Sequence, residues 1–234
     1  MKDRSRVIFG NEISARTIKK AEKSKKKYQK KFKMENEIEC FWKLEENDCL
    51  GEMLGIENMV LCEEDEQSQW NDKGLIVGNI RMGFGHYRIA MAIASAANAM
   101  GYKPYWMDLA SYPKTLTSKI IQYQNELYST GSRISSKSKL FNHFVWEPMN
   151  YQGFRKLSYN ATDQKNAELM APLFLHIPKK MPFVATHVWP SQAAIHGDME
   201  QVVNAIPDNW PMALHLSQGS IHTVQTHSSY FGYR

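Results

Sequence analysis

The sequence predicts an α/β protein: an open, mostly parallel sheet flanked by helices, preceded by a helical basic and acidic extension. Three observations carry this. Apolar runs of strand length alternate with helical stretches across residues 74–210, the order that builds β-α-β units. Leu75 to Ile80 is aliphatic without alternation, as in a strand covered on both faces. Charge is segregated. Residues 1–33 hold thirteen Lys or Arg and three acids, and residues 34–72 hold thirteen acids and one Lys. The expected division is therefore an extension over 1–73 and an α/β domain over 74–234.

Composition narrows the classes. A chain of 234 residues can bury a substantial core, and 43% hydrophobic content is ordinary for a globular protein. No apolar run is long enough for a spanning helix, and the start has no signal-peptide apolar segment. Cys40, Cys49 and Cys62 are odd in number without a C-x-x-C spacing, which fits reduced thiols in a cytoplasmic protein. The Lys-rich start suits a solvated helix, a partner for the acidic segment, or a peripheral contact with an anionic membrane. Nucleic acid is not expected, because no regular aromatic interleaving accompanies the lysines.

Taken in order, Val7-Ile8-Phe9 is a short apolar patch. Ser14 to Lys33 favours a helix capped by Ser14, with a thin apolar face of Ile18, Ala21, Tyr28 and Phe32 that needs a partner surface. Glu37 to Leu61 suggests short elements packing on the main domain. Glu63 to Lys73 reads as a linker. Leu75–Ile80 is the opening strand, and Ile89 to Met100 carries no charge, so a helix buried against the sheet should follow. Gly101 should stop it, and Lys103–Leu109 should pair in parallel with the first strand through a right-handed crossover.

Thr115 to Tyr128 is an amphipathic helix through Leu116, Ile120, Tyr123 and Leu127. Ser136 to Met149 is another, through Leu140, Phe141, Phe144 and Val145, stopping near Pro148. Asp163 is expected to cap a third that carries Ala167, Met170 and Phe174, with Pro172 kinking or splitting it. Pro182–His187 is a strand, Ser191–His196 a short helix before Gly197, and Gln201–Ile206 a further strand closed by Pro207-Asp208-Asn209. Leu214 to Thr226 holds up to two short strands around Ser217–Ser220.

Function is sought where such a sheet places it, beyond the carboxyl ends of its strands. The stretch Arg81-Met82-Gly83-Phe84-Gly85-His86-Tyr87-Arg88 joins the first strand to its helix. Gly83 and Gly85 permit close approach to bare main chain, and the helix start presents free N–H groups suited to a phosphate. The dinucleotide fingerprint is incomplete, since Arg88 stands where its third glycine would be. His86 can serve as a general base or as a helix-start hydrogen-bonding group. Asp108, His187 and Asp208-Asn209 end other strands. Each is a ligand contact or an ordered loop residue. His215, His222 and His227 match no zinc spacing, so no metal is expected. A Walker loop, a serine-nucleophile elbow and a zinc-protease motif are absent.

Arg81–Ala90, followed by Gly101 and Trp106-Met107-Asp108-Leu109, resembles the N-terminal Rossmann-like half of GT-B glycosyltransferases. The likeness is to the monogalactosyldiacylglycerol synthase and lipid-linked N-acetylglucosaminyltransferase group, where a glycine-rich loop ending in Gly-His opens the first helix. Ala185-Thr186-His187-Val188-Trp189-Pro190 and Val202 to Asp208 also look like that group's cleft-facing strands. The resemblance covers residues 74–210. It implies a nucleotide-sugar as donor substrate with no cofactor, and an acceptor that is lipid-linked or membrane-bound. It places His86 as the catalytic base, and Gly83, Phe84, Gly85, Arg88, His187, Asp208 and Asn209 against substrate. Such enzymes carry a second Rossmann-like domain for most of the nucleotide. The chain is thus expected to be the acceptor-side half of a longer protein or a subunit with a partner, inactive by itself. The competing expectations are a non-catalytic α/β module binding a nucleotide or phosphorylated ligand, and an interaction protein with a basic arm.

Overall fold

A computed structural model of the chain describes residues 3–33 and 39–233. Residues 34–38, where the acidic segment begins, lie outside the described residues. A two-residue hairpin, β1 (Val7–Ile8) and β2 (Asn11–Glu12), precedes α1 (Ala15–Lys31), whose first turn is capped by the Ser14 side chain. Then come β3 (Phe41–Glu46), α2 (Gly51–Leu54) and β4 (Glu57–Cys62). The α/β alternation follows: β5 (Gly74–Asn79), α3 (Phe84–Ala99), β6 (Lys103–Asp108) and α4 (Leu116–Lys137). A short α5 (Lys139–Phe141) runs into two π-helical turns, Asn142–Trp146 and Met149–Gly153. The remainder is α6 (Leu157–Ala167), β7 (Phe183–Ala185), α7 (Val188–His196), β8 (Val202–Ala205), β9 (Ile221–Thr223) and α8 (His227–Tyr233).

Seven strands form one sheet in the order β3-β4-β6-β5-β7-β8-β9. Only β3 is antiparallel to its neighbour. The architecture is the mostly parallel, Rossmann-like α/β sheet that the alternation predicts. The sheet also crosses the boundary expected near Gly74, because β3 and β4 add two strands beyond β6. The short elements expected over 37–61 thus include two strands at one edge of the sheet itself. In β3, Phe41 and Trp42 are buried while Lys43, Glu45 and Glu46 face water, and such charge blunts an edge strand.

Both faces of the central strands are covered, as a parallel sheet requires. On one, Ile76, Ile80, Tyr105, Met107 and Phe183 pack with Ile120 of α4, Phe174 of the 3-10 turn Ala171–Phe174 and Trp189 of α7. On the other, Val77 and Trp106 pack with Ala90 and Ala94 of α3. Of α3, uncharged from Ile89 onward, only a stripe of alanines is buried, Ala90, Ala94 and Ala97, and Met100 after it is exposed. Close packing is tightest at Gly78, where an added Cβ would collide with the Phe183 ring. Gly101 stops α3 at a left-handed φ of 82°.

Several expectations are corrected. Asp163 does not cap a helix: α6 begins after Lys156, and Asp163 is buried in its middle. The apolar stripe of 136–149 faces outward, with Leu140, Phe144 and Val145 exposed, and helical turns continue past Pro148 to Gly153. Of the strands expected over 214–226 only β9 forms, since Ala213–His215 is a 3-10 turn. The thin face of α1 does find a partner. Ile18, Ala21 and Tyr28 are buried, Lys25 pairs with Glu168 at 2.7 Å, and Ser24 bonds Asn166 at 3.2 Å, both on the α6 side.

Candidate functional site

The chain reverses direction across the sheet between β5 and β7. From β5 it passes through α3 to β6 on one side, and later returns to β7 on the other. In an open α/β sheet this switch point leaves a crevice outside the strand ends. Gly83 precedes α3 with φ at 82°, a conformation that favours glycine, and no side chain caps the helix start. At Gly83 and Gly85 the space that a Cβ would enter is empty, so the main chain there is open to a ligand.

His86, in the first turn of α3, reaches across this crevice. Its Nδ1 lies 2.6 Å from the Thr186 carbonyl oxygen just beyond β7. A carbonyl only accepts, so Nδ1 carries the proton and Nε2 keeps its lone pair. Burial lowers the affinity of this imidazole for a second proton. The Thr186 hydrogen bond and the nearby Asp208 charge partly oppose that shift. His187 caps α7: its Nδ1 accepts from the Trp189 backbone N–H at 3.2 Å, so its Nε2 carries the proton. Its ring stands edge-on to that of His86, centroids 5.1 Å apart. Burial, with His86 and His215 close by, holds His187 well below the usual histidine range. Two neutral imidazoles thus meet at one point, one offering an acceptor and the other a donor.

Asp208 closes the same cleft from the loop after β8. Its carboxylate lies 3.2 Å from His215 Nε2, and His215 Nδ1 lies 2.8 Å from the Tyr233 hydroxyl of α8. Tyr233 is pushed up to about 12 by burial and so keeps its proton, which it donates to Nδ1. That leaves the Nε2–H of His215 for Asp208, whose carboxyl is held below its ordinary range chiefly by this bond. Asn204, in β8, fixes the His215 carbonyl at 2.7 Å.

The cleft has a volume of about 490 Å³, within the range of small-ligand sites. His86, His187, Asp208 and His215 line its polar side, while Leu127, Trp146, Met149, Phe154 and Leu214 form an apolar wall. Deeper, Asp163 sits behind Trp189 and Tyr159, its carboxyl raised to about 7 by burial. The Trp189 indole faces it and opposes that rise, though it closes no hydrogen bond of normal geometry.

Three of the predicted residues, His86, His187 and Asp208, therefore share one cleft. Gly83, Phe84 and Gly85 form the exposed turn beside it, with Phe84 turned to solvent. Arg88 is exposed further along α3 and does not line the cleft. Asn209 is taken up by the Ser229 hydroxyl, 3.1 Å from its carbonyl oxygen. Asp108 opens on a different cleft, of about 450 Å³, where it pairs with Arg81 at 2.5 Å and accepts from Ser111 at 3.0 Å. The strand ends share an edge of the sheet, but the β5–α3 turn divides that edge in two. Among the described residues no group of three or more His, Cys, Asp or Glu is arranged to hold a metal. No described helix is long and apolar enough to cross a membrane.

Sequence reasoning missed His215 as a partner of Asp208, and it missed the aromatic wall. The first depends on the 3-10 turn at Ala213–His215, and the second on π-helical turns, neither of which has a periodic signature. No curated protein and no solved structure matches the chain. A family model described as a domain of unknown function, DUF6937, matches residues 7–234, nearly the whole length. The chain, with the switch-point cleft inside the matched region, belongs to the DUF6937 family.

Proposed function

We propose that this chain is the acceptor-side half of a GT-B-like glycosyltransferase that uses a nucleotide-sugar donor. The observation that carries the reading is the fixed tautomer of His86: a half-buried neutral imidazole with Nε2 turned to the cleft suits removal of a proton from an acceptor hydroxyl. The oxygen attacks the sugar carbon as the bond to the diphosphate breaks, and the proton passes to Nε2. Asp208 then stabilises the imidazolium, because its negative charge already favours the protonated ring. His187 Nε2–H steadies the acceptor oxygen or a neighbouring group. The uncapped start of α3, with Gly83 and Gly85 unobstructed, offers N–H groups to the leaving diphosphate.

That same helix start favours a second reading, a module that holds a phosphorylated ligand without turning it over. Exposed Lys19, Lys20, Lys23, Lys26, Lys27 and Lys30 on α1 support contact with an anionic membrane surface in either case.

The test is turnover of UDP-glucose, UDP-galactose and UDP-N-acetylglucosamine by the intact natural protein. The transferase reading expects consumption of at least one donor, and a loss of about a hundredfold or more with His86→Ala. Saturable donor binding without product supports the second reading. Turnover unchanged by His86→Ala overturns the role given to that residue.

A further inference from the structure

The cleft does not end at its apolar wall. It opens into a groove of about 760 Å³ along the π-helical turns, sharing Trp146, Asn150 and Met212 with it. In this groove two large aromatics stand in water: Tyr151 is 57% and Trp210 48% exposed. Their rings lie side by side, centroids 5.6 Å apart and planes tilted by 35°. The Arg155 guanidinium is held 5.7 Å from the Trp210 centroid. Trp146 is fixed as a third platform because Gly131 of α4 lies beneath it, where any Cβ would collide with its ring. Widened helical turns are uncommon and recur at functional sites. Here they carry Trp146, Asn150 and Tyr151 into the groove's lining.

The chemistry of the lining selects an occupant. An acyl chain needs continuous apolar walls, but Glu147, Asn150 and Gln152 interrupt these. A polynucleotide needs cations along its phosphates, and Arg155 over Trp210 is a single cation beside a lining that carries Glu147. A pyranose ring fits both features. Its C–H face stacks on an aromatic ring, and its edge hydroxyls meet amide and carboxylate groups. The groove is open at its outer side and continuous with the cleft, so it suits a chain of rings rather than one.

We propose that the groove binds a neutral glycan chain, which runs on into the cleft and presents a hydroxyl there. This deepens the transferase reading, since it names the acceptor class, and it rests on that reading only for what happens at His86.

The test is binding, without any donor. The described chain is titrated with cellotetraose, maltotetraose and chitotetraose to millimolar concentration, followed by tryptophan fluorescence and by amide NMR. At least one should saturate, with shifts at Asn150, Tyr151 and Trp210. Trp210→Ala and Tyr151→Ala should each weaken it about three- to tenfold, the worth of one aromatic contact. Both side chains are exposed, so the folded state should survive, which a melting curve checks. Saturation by none of the three, or affinity indifferent to both substitutions, overturns the proposal. So does a thymidine oligonucleotide or a phosphatidylglycerol vesicle producing the same shifts. Glycan binding by a protein whose turnover ignores His86 would keep the groove and remove the base. The reverse pattern would keep the base and remove the groove.

Discussion

His86 and Thr186 are joined across the switch point of the sheet, with the imidazole Nδ1 2.6 Å from the carbonyl oxygen. One residue opens the helix after β5 and the other follows β7, so this bond ties together the two strands between which the crevice forms. It fixes the ring's tautomer and its direction. A glutamine at position 86 can also donate to Thr186 but offers no titratable lone pair. His86→Gln should therefore leave the melting temperature close to wild type while removing any turnover. His86→Ala should destabilise as well, by about 1 kcal/mol, for the lost hydrogen bond. Chemical denaturation separates the two.

The glycine turn makes opposite predictions at its two positions. Gly83 has a left-handed φ, so Gly83→Ala should cost about 1–2 kcal/mol although nothing obstructs the added methyl. Gly85 lies inside α3 with no such constraint, and Gly85→Ala should stabilise by about 0.5–1 kcal/mol. Gly85→Leu should fold yet weaken binding of inorganic pyrophosphate, because the side chain enters the space over the helix start. Calorimetric titration with pyrophosphate checks this. Equal affinity in both proteins would mean the anion does not approach there.

Gly78 is a packing position. Gly78→Ala drives a methyl into the Phe183 ring and should cost about 1–3 kcal/mol. Phe183→Leu, destabilising by itself, should cost less in the Gly78→Ala background. A double-mutant cycle on denaturation midpoints measures this coupling, and strict additivity would contradict the packing described.

Two buried groups, Asp163 and His196, oppose one another in pH dependence. Asp163 is raised from 3.8 to about 7, so the folded state holds a proton that the unfolded chain has released. Its contribution is full below pH 3.8 and is lost as pH rises toward 7. His196 is lowered from 6.5 to about 4, chiefly by burial. Its contribution is full above pH 6.5 and is lost as pH falls toward 4. Between pH 4 and 6.5 the two slopes largely cancel. Asp163→Asn should therefore give a protein that loses stability on acidification through this window. His196→Gln, which can keep the bond to Gln164, should give one that loses stability as pH rises. Urea midpoints at several pH values provide the check. Parallel curves for the two variants would refute the opposition.

How far the sequence reveals this molecule follows from which interactions are local. The strand–glycine–helix at 74–100, the β6 crossover, the Ser14 cap and the stop at Gly101 are written in neighbouring residues, and they form as read. His86, His187 and Asp208 were legible as a group because each follows a strand, and parallel strands deliver their ends to one edge. That Asp108 falls into another cleft depends on how the β5–α3 turn splits the edge, which no local pattern encodes. Asp163 was misplaced because an acid before apolar residues looks like a cap. The packing of α6 against both α1 and α7, contacts between distant segments, puts it in the interior. β3, read only as one of the short elements over 37–61, was hidden as a strand by its exposed Lys and Glu, which belong to its position at the edge of the sheet.

The most direct test of the account is the ¹⁵N NMR titration of the His86 ring in the folded chain. The ring should be the Nδ1–H tautomer with a midpoint below 6.5, and the midpoint should fall further in Asp208→Asn as the neighbouring negative charge is removed. An Nε2–H tautomer, or a ring that is protonated at neutral pH, would leave the cleft without a base and contradict it.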